Sequence, residues 1–250
     1  MSGHSKWSTI KHKKGAADKK RGAIFTKLAK AVTVAAQNGG GDPDTNFTLR
    51  LAVDKARAAN MPKDNIERAI QRGVGGDKSE ALDDVVYEGY GPGGVAVMVE
   101  ATTNNRNRTA GQVRAVFTKH GSSLGESGTV AWQFNRRGTI AVPAAGIDPD
   151  ELVMAAIDAG ALDVEPEDDY VTVYTEVADF QKVKQALEAA GYDTSEAELA
   201  MVPSVLMELD PGKQLQVLKF IEVLEDQDDV DQVWTNAEIS DEVAEQYAES

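Results

Sequence analysis

The chain has 250 residues, 42% hydrophobic and 27% charged, a composition that excludes a disordered polymer and allows two domains, or three small ones. It contains no cysteine, which excludes disulfides, thiolate metal sites, Fe–S clusters and thiol catalysis, and no apolar run reaches the roughly 18–20 residues needed to cross a bilayer. The net charge of −15 would repel phosphate if it were spread evenly, but residues 1–78 hold 16 Lys and Arg against 7 Asp and Glu, a net +9, while residues 79–250 hold 10 against 34, a net −24.

Residues 1–20 are basic and weakly apolar, with no apolar stretch of the secretory kind, and read as a cytoplasmic protein's arm rather than a signal. A helix is predicted over 20–37, where Ile24, Phe25, Leu28 and Val32 recur at helical spacing and Gly39-Gly40-Gly41 stops the run. A second helix is predicted over 46–59, with Leu49, Val53 and Ala56 on one face. A third is predicted over 62–72, opened by Pro62 and faced by Ile66 and Ile70. Residues 1–78 are therefore expected to form a basic, all-helical domain.

The hydrophobic period then falls from 3.6 to 2. Strands are predicted at 85–89 and 94–101 around the turn Tyr90-Gly91-Pro92-Gly93, then a helix at 106–120 and a strand at 130–134. A strand at 138–142, a helix at 149–159, a strand at 170–175, a helix at 177–190 and a strand at 196–202 follow. The carboxylates at Glu165, Glu167, Asp168 and Asp169 read as a solvated run. Residues 204–209 are expected as a strand, 212–226 as a helix, 230–236 as the last strand and 241–250 as a frayed acidic tail. Alternating strands and helices of this length give an α+β protein, with helices on one face of mostly antiparallel, ferredoxin-like sheets. Residues 135–203 make a β-α-β-α-β set of their own. They are expected as an acidic domain inserted into a split domain of 79–134 and 204–250.

The densest chemical signal is Lys6, Lys11, Lys13, Lys14, Lys19, Lys20, Arg21, Lys27 and Lys30, nine cations against Asp18 alone in the first 30 residues. Such a cluster attracts a phosphate backbone by direct pairing and counterion release, and Trp7 within it offers a ring for stacking. The competing account is a solvated helix face. In the run from Asn104 to Thr109, Arg106 and Arg108 stand where a strand hands over to a helix. They either grip a phosphate at that helix start, or Asn105 or Asn107 caps the helix while both arginines pair with the acidic body. On the third helix Lys63, Arg68 and Arg72 are the only modest candidates for reading bases.

The catalytic inventory is poor. The histidines are His4, His12 and His120, without metal spacing, and there is no Gly-x-Ser-x-Gly or HExxH. Gly89, Gly91, Gly93 and Gly94 precede a strand and lack a following Lys-Ser/Thr, so they read as a tight turn rather than a phosphate loop. No catalytic residue, metal, cofactor, small-molecule substrate or membrane is expected. Nucleic acid, either DNA or ribosomal RNA, is the expected partner, with other proteins as candidates for the acidic domains. A protein-binding scaffold is the alternative from another class.

These motifs together resemble the YebC family, which includes bacterial transcriptional regulators and the mitochondrial translational activator of cytochrome c oxidase. The resemblance rests on Gly3-His4-Ser5-Lys6-Trp7, Lys11-His12-Lys13-Lys14, Arg21-Gly22 with Phe25-Thr26-Lys27-Leu28, Gly39-Gly40-Gly41-Asp42-Pro43, Met61-Pro62-Lys63-Asp64-Asn65-Ile66, and Tyr87-Glu88-Gly89-Tyr90-Gly91-Pro92-Gly93-Gly94. Asn105-Arg106-Asn107-Arg108-Thr109 and Val233-Trp234-Thr235-Asn236 extend it over nearly the whole chain, least distinctively across 140–200. Ala23 departs from the basic or larger residue of many relatives. The resemblance implies three domains, the third inserted in the second, and a cytoplasmic role in gene expression. That role is either DNA-binding transcriptional regulation or ribosome-associated help for translation through stretches such as consecutive prolines.

Overall fold

A computed structural model describes residues 18–75, 82–167 and 169–249, with residues 18–21 and 23 as backbone only. Three helices come first: α1 (Asp18–Gly39), α2 (Phe47–Ala58) and α3 (Lys63–Val74). Their shared core is Val32, Ala35, Ala36, Leu49, Val53, Ala56, Ile66 and Ala69, with Phe25 and Leu28 against it. Ile24 does not join the stripe expected of it and is 39% exposed, because Ala35 and Ala36 carry the contact face instead. Asn46 makes the first corner. Its Oδ1 accepts from Leu49 N–H at 3.1 Å and caps α2, while its Nδ2 donates to the carbonyls of Ala35 (2.7 Å) and Gly40 (2.8 Å) at the end of α1. Thr33 Oγ1 donates across to Ala69 O at 3.1 Å, so α1 and α3 pack tightly.

The first sheet holds β1 (Asp83–Tyr90), β2 (Ala96–Thr103), β3 (Ser123–Leu124) and β8 (Val230–Thr235) in the order β3-β1-β2-β8, all antiparallel. One face packs on α4 (Arg106–Lys119), α7 (Pro211–Glu225) and α8 (Asp241–Ala248). Val97, Val99, Val113, Phe117, Leu218, Phe220 and Ile221 fill that core, and Phe117 meets Phe220 edge-on at 4.9 Å. The second sheet takes all its strands from 134–203: β4 (Phe134–Pro143), β5 (Asp163–Pro166), β6 (Tyr170–Thr175) and β7 (Glu196–Pro203), in the order β5-β6-β4-β7. Helices α5 (Pro149–Ala159) and α6 (Phe180–Ala189) cover it, a β-α-β-β-α-β unit with ferredoxin-like strand order. The fold is thus a helical N-terminal unit followed by α/β units.

Four expectations fail for identifiable reasons. Residues 130–134 are not a strand. The Glu88 carboxylate takes the N–H groups of Gly128 (2.7 Å), Val130 (2.8 Å) and Ala131 (2.8 Å), which a strand would offer to a neighbour, and the chain curls into a 3-10 turn at Ala131–Gln133. No strand was expected between α5 and β6, yet the segment holds β5, an edge strand too exposed to alternate, while Glu165 and Asp169 of the acidic run are exposed as read. Residues 204–209 make one bridge, Met207 to Ala237, instead of a strand. The tail does not fray: Ser240 caps α8, Val243 and Ala244 are buried, and Tyr247 O–H donates to Glu222 Oε2 at 2.5 Å.

Gly73 marks the closest approach of α3 to α1: a Cβ there would lie 2.4 Å from Thr33 O and 2.7 Å from Ala36 Cβ. Gly111, inside α4, has nothing within 4 Å of its Cβ position. We expect Gly73→Ala to lower unfolding free energy by about 1–3 kcal/mol. Gly111→Ala should raise it by about 0.5–1 kcal/mol. Urea denaturation checks both, and equal effects at the two sites would refute the packing account.

Candidate nucleic-acid interface

The helical unit meets the first sheet at one buried carboxylate. The side chain of Asp229, only 6% exposed, lies in the connection between α7 and β8. Its Oδ1 accepts from Lys30 Nζ of α1 at 2.7 Å, and its Oδ2 from Arg108 Nη2 at 2.6 Å and Thr109 Oγ1 at 2.8 Å, both on α4. Thr103 Oγ1 lies 3.3 Å from the same oxygen, and Asp229 O accepts from Thr102 N at 2.9 Å. Burial alone would raise the Asp229 carboxyl, but Lys30, Arg108 and Thr109 outweigh it and hold it at about 2.

The neighbouring Asp231 behaves in the opposite way. Between the pairs Glu100–Gln232 and Ala101–Val230 the register slips, which leaves Asp231 as the extra residue of a β-bulge turned toward α1. Desolvation pushes its carboxyl up to about 6, against the Thr102 hydroxyl and the charges of Lys27 and Lys30, and Asp84 adds to the rise. Glu100 on β2 is also raised, by burial and then by Asp231. Lys27 faces this cluster and donates to Glu225 O, and Lys30 Nζ also reaches Asp228 O at 3.1 Å.

The expected phosphate-binding residues fall into three groups. Lys6, Trp7, Lys11, Lys13 and Lys14 lie outside the described residues. Lys19, Lys20 and Arg21 stand on the first turns of α1. Lys27, Lys30, Arg106 and Arg108 are all engaged within the chain. Asn105 caps α4 by accepting from Arg108 N at 3.1 Å, Arg106 Nε pairs with Asp83 at 3.0 Å, and Arg108 pairs with Asp229. Of the two accounts of this segment, capping with ion pairing describes what these side chains do here. Arg108 nevertheless remains 47% exposed.

Two adjoining clefts open beside this junction, about 500 Å³ and 550 Å³, sharing Thr26, Lys30, Leu82 and Asn104. The second is walled by Arg108, Asp228 and Asp229, so its charges balance. Among the described residues the first is lined by Lys30, Arg68 and Arg72 and by no carboxylate, over an apolar floor that includes Phe25, Met61 and Ala69. Arg68 is fixed there by Nε to Asp64 O (3.1 Å) and Nη2 to Asn65 Oδ1 (2.5 Å). Sequence reasoning passed over Asn65 and Asp229. Asp229 sits in a run of acidic residues whose local pattern gives no sign of which one is buried. Among the described residues no group of three or more His, Asp and Glu could hold a metal ion, and no helix is long and apolar enough to cross a membrane.

The pH dependence follows from the two aspartates. Asp229, depressed to about 2, stabilises the fold above its unfolded value near 3.8, and that contribution is lost as pH falls toward 2. Asp231, raised to about 6, favours the fold while protonated, and this is lost as pH rises through 6. Asp229→Asn should therefore cost about 2 kcal/mol at pH 7, with the difference shrinking toward pH 2. Asp231→Asn should gain about 2 kcal/mol at pH 7.5 and nothing near pH 3.5. Denaturant unfolding across pH measures both, and parallel profiles for the two variants would contradict the assignment.

The chain is similar to known proteins over nearly its whole length. The family model described as the TACO1/YebC protein N-terminal domain matches residues 5–76, and that of the TACO1/YebC second and third domain matches 82–237. The chain is 53% identical over 242 residues to a "Probable transcriptional regulatory protein" of Citrifermentans bemidjiense, covering 97% of this chain and 98% of that one. It is also 53% identical over 252 residues to a protein of the same name from Roseiflexus castenholzii, covering 99% of each. A crystal structure of a conserved hypothetical protein from Aquifex aeolicus superposes with a TM-score of 0.84 at 45% identity, over 90% of this chain and 93% of that one.

Proposed function

The chain belongs to the TACO1/YebC family, and we propose that it is a non-enzymatic, nucleic-acid-binding regulator of gene expression that grips phosphate with its basic N-terminal domain. The observation that carries this reading is the segregation of charge. The N-terminal 78 residues carry 16 basic against 7 acidic residues, and the cleft on their described part is lined by three cations and no carboxylate. The acidic α/β body repels phosphate and so confines nucleic acid to that end of the molecule. The relatives' names, probable transcriptional regulatory protein, favour a role in transcriptional regulation, for which duplex DNA is the partner we propose.

A second reading is association with the ribosome through its RNA, in a cytoplasmic translation role. It is supported by the outward side of α3, where Lys63, Arg68 and Arg72 are interleaved with Asp64 and Glu67, and Lys63 pairs with Glu67 at 3.4 Å. A helix with carboxylates interleaved among its cations is poorly suited to reading a major groove, whereas ribosomal RNA offers phosphate in many shapes.

A competition assay tests both. Labelled protein is offered ribosomes and excess genomic duplex DNA at about 0.15 M salt, which screens weak surface attraction. A Lys13→Glu, Lys14→Glu, Lys20→Glu, Arg21→Glu variant runs beside it. The parent should bind at least one nucleic-acid partner, and the variant should bind at least about tenfold more weakly. Retention on ribosomes supports the translation reading, and transfer to DNA supports the transcription reading. Equal binding by parent and variant, or none by either, overturns the proposal.

A further inference from the structure

We propose that the cleft between α1, α3 and the start of α4, whose described lining residues include no carboxylate, is a pocket for one unpaired nucleotide of a single-stranded nucleic acid, with its amide and guanidinium groups selecting bases that present acceptors. This inference deepens the preceding reading and rests on it. The cleft's volume, about 500 Å³, lies in the range of small-molecule sites and is far too confined for a duplex. Its floor is apolar, with Phe25, Ala29, Met61, Ala69 and Leu82 among the lining residues, and a flat base can cover such a surface.

The rim is polar and one-sided in its hydrogen-bonding capacity. Asn65 Oδ1 already accepts from Arg68 Nη2 at 2.5 Å, and Asn104 Oδ1 already accepts from Arg108 Nη2 at 3.2 Å. Both amide oxygens are thus turned to neighbouring guanidiniums, and what the amides offer to a ligand is N–H. Arg68, held in plane by two bonds, keeps Nη1 outside both of them. Arg72 and Lys30 also line the cleft, Lys30 with its charge shared with Asp229. A pocket rich in donors, with no carboxylate among its described lining residues, matches phosphate oxygens and the two carbonyl acceptors of uracil. It matches adenine poorly, because the adenine N6 amino group is itself a donor and would face other donors. In a chain of net charge −15, a pocket of this composition is more specific than a generic solvated surface.

The test uses the full chain and 3′-labelled eight-nucleotide probes read by fluorescence anisotropy: oligo-U, oligo-A, deoxy-oligo-T and a duplex of the same length. The parent should bind oligo-U at least about fivefold more tightly than oligo-A. Asn65→Asp preserves size while replacing the donor by an acceptor, and should weaken oligo-U about tenfold and erase the preference. Phe25→Leu keeps an apolar floor without a ring and should weaken all single strands by about tenfold. Thermal melting of each variant confirms the fold, and Asn65→Gln should retain more than half of the preference if the amide N–H is what matters. Comparison of oligo-U with deoxy-oligo-T assigns the strand as RNA or DNA. If the parent binds nucleic acid but a folded Asn65→Asp variant shows unchanged affinity and selectivity, the pocket is overturned while the broader reading stands. If the parent prefers the duplex, the pocket is likewise overturned. If the parent binds no probe and also fails the ribosome and DNA competition, both fall together.

Discussion

The seating of the helical unit on the first sheet turns on a buried carboxylate, Asp229. A buried charge is tolerable only when paired and hydrogen-bonded, and Asp229 meets that demand with groups from two parts of the chain. Lys30 comes from α1, and Arg108 and Thr109 come from α4. Each of its oxygens accepts from at least one cation. Removing either cation would leave the other overloaded but the carboxylate still paired; removing the carboxylate would leave two cations facing each other across a half-buried junction. The carboxylate is therefore the irreplaceable member of the set.

A second charged contact does the same work on the other side. Lys55 of α2 pairs with Glu198 of β7 at 2.6 Å, and Gln232 of β8 donates to the same Glu198 oxygen at 2.9 Å. One side chain thus joins the helical unit and both sheets. Apolar packing accompanies it. Phe47 of α2 meets Phe180 of α6 edge-on at 5.7 Å, and Trp234, Met98 and Ala96 of the first sheet bury against Phe134 and Ala200 of the second. Burying a side chain such as Phe134 or Met98 contributes about 1.5–3 kcal/mol. The two charged contacts add orientation, because each has directional partners that a purely apolar interface lacks.

The sequence made the helical unit, the change of period near residue 80 and most of the strands legible, because each carries its own local pattern. Asn105 and Pro211 stand at the starts of α4 and α7 as capping and first-turn residues should. What was not legible depended on partners distant in the chain. Nothing near residues 130–134 announces that Glu88, more than 40 positions away, will capture their N–H groups. An edge strand such as β5 needs a neighbour, β6, to exist at all. The fate of Lys27, Lys30, Arg106 and Arg108 was open for the same reason: a cation's sequence tells its charge, while only the fold tells which carboxylate it meets.

That distinction also explains where phosphate contact is still available. Lys30 and Arg108 share their charge with Asp229, so the second cleft, which all three line, is close to neutral, and Arg106 pairs with Asp83. Arg68 and Arg72 stand one step away, on the first cleft, whose described lining residues include no carboxylate. Salt acts differently on the two places. Exposed charges are screened beyond about 8 Å at physiological ionic strength, whereas contacts around a nearly buried carboxylate are screened much less. Raising salt should therefore release nucleic acid from the exposed rim well before it loosens the Asp229 junction. The helical unit would then remain docked on the α/β body throughout cycles of binding and release, so the basic surface is presented by the whole molecule rather than by a tethered arm acting alone.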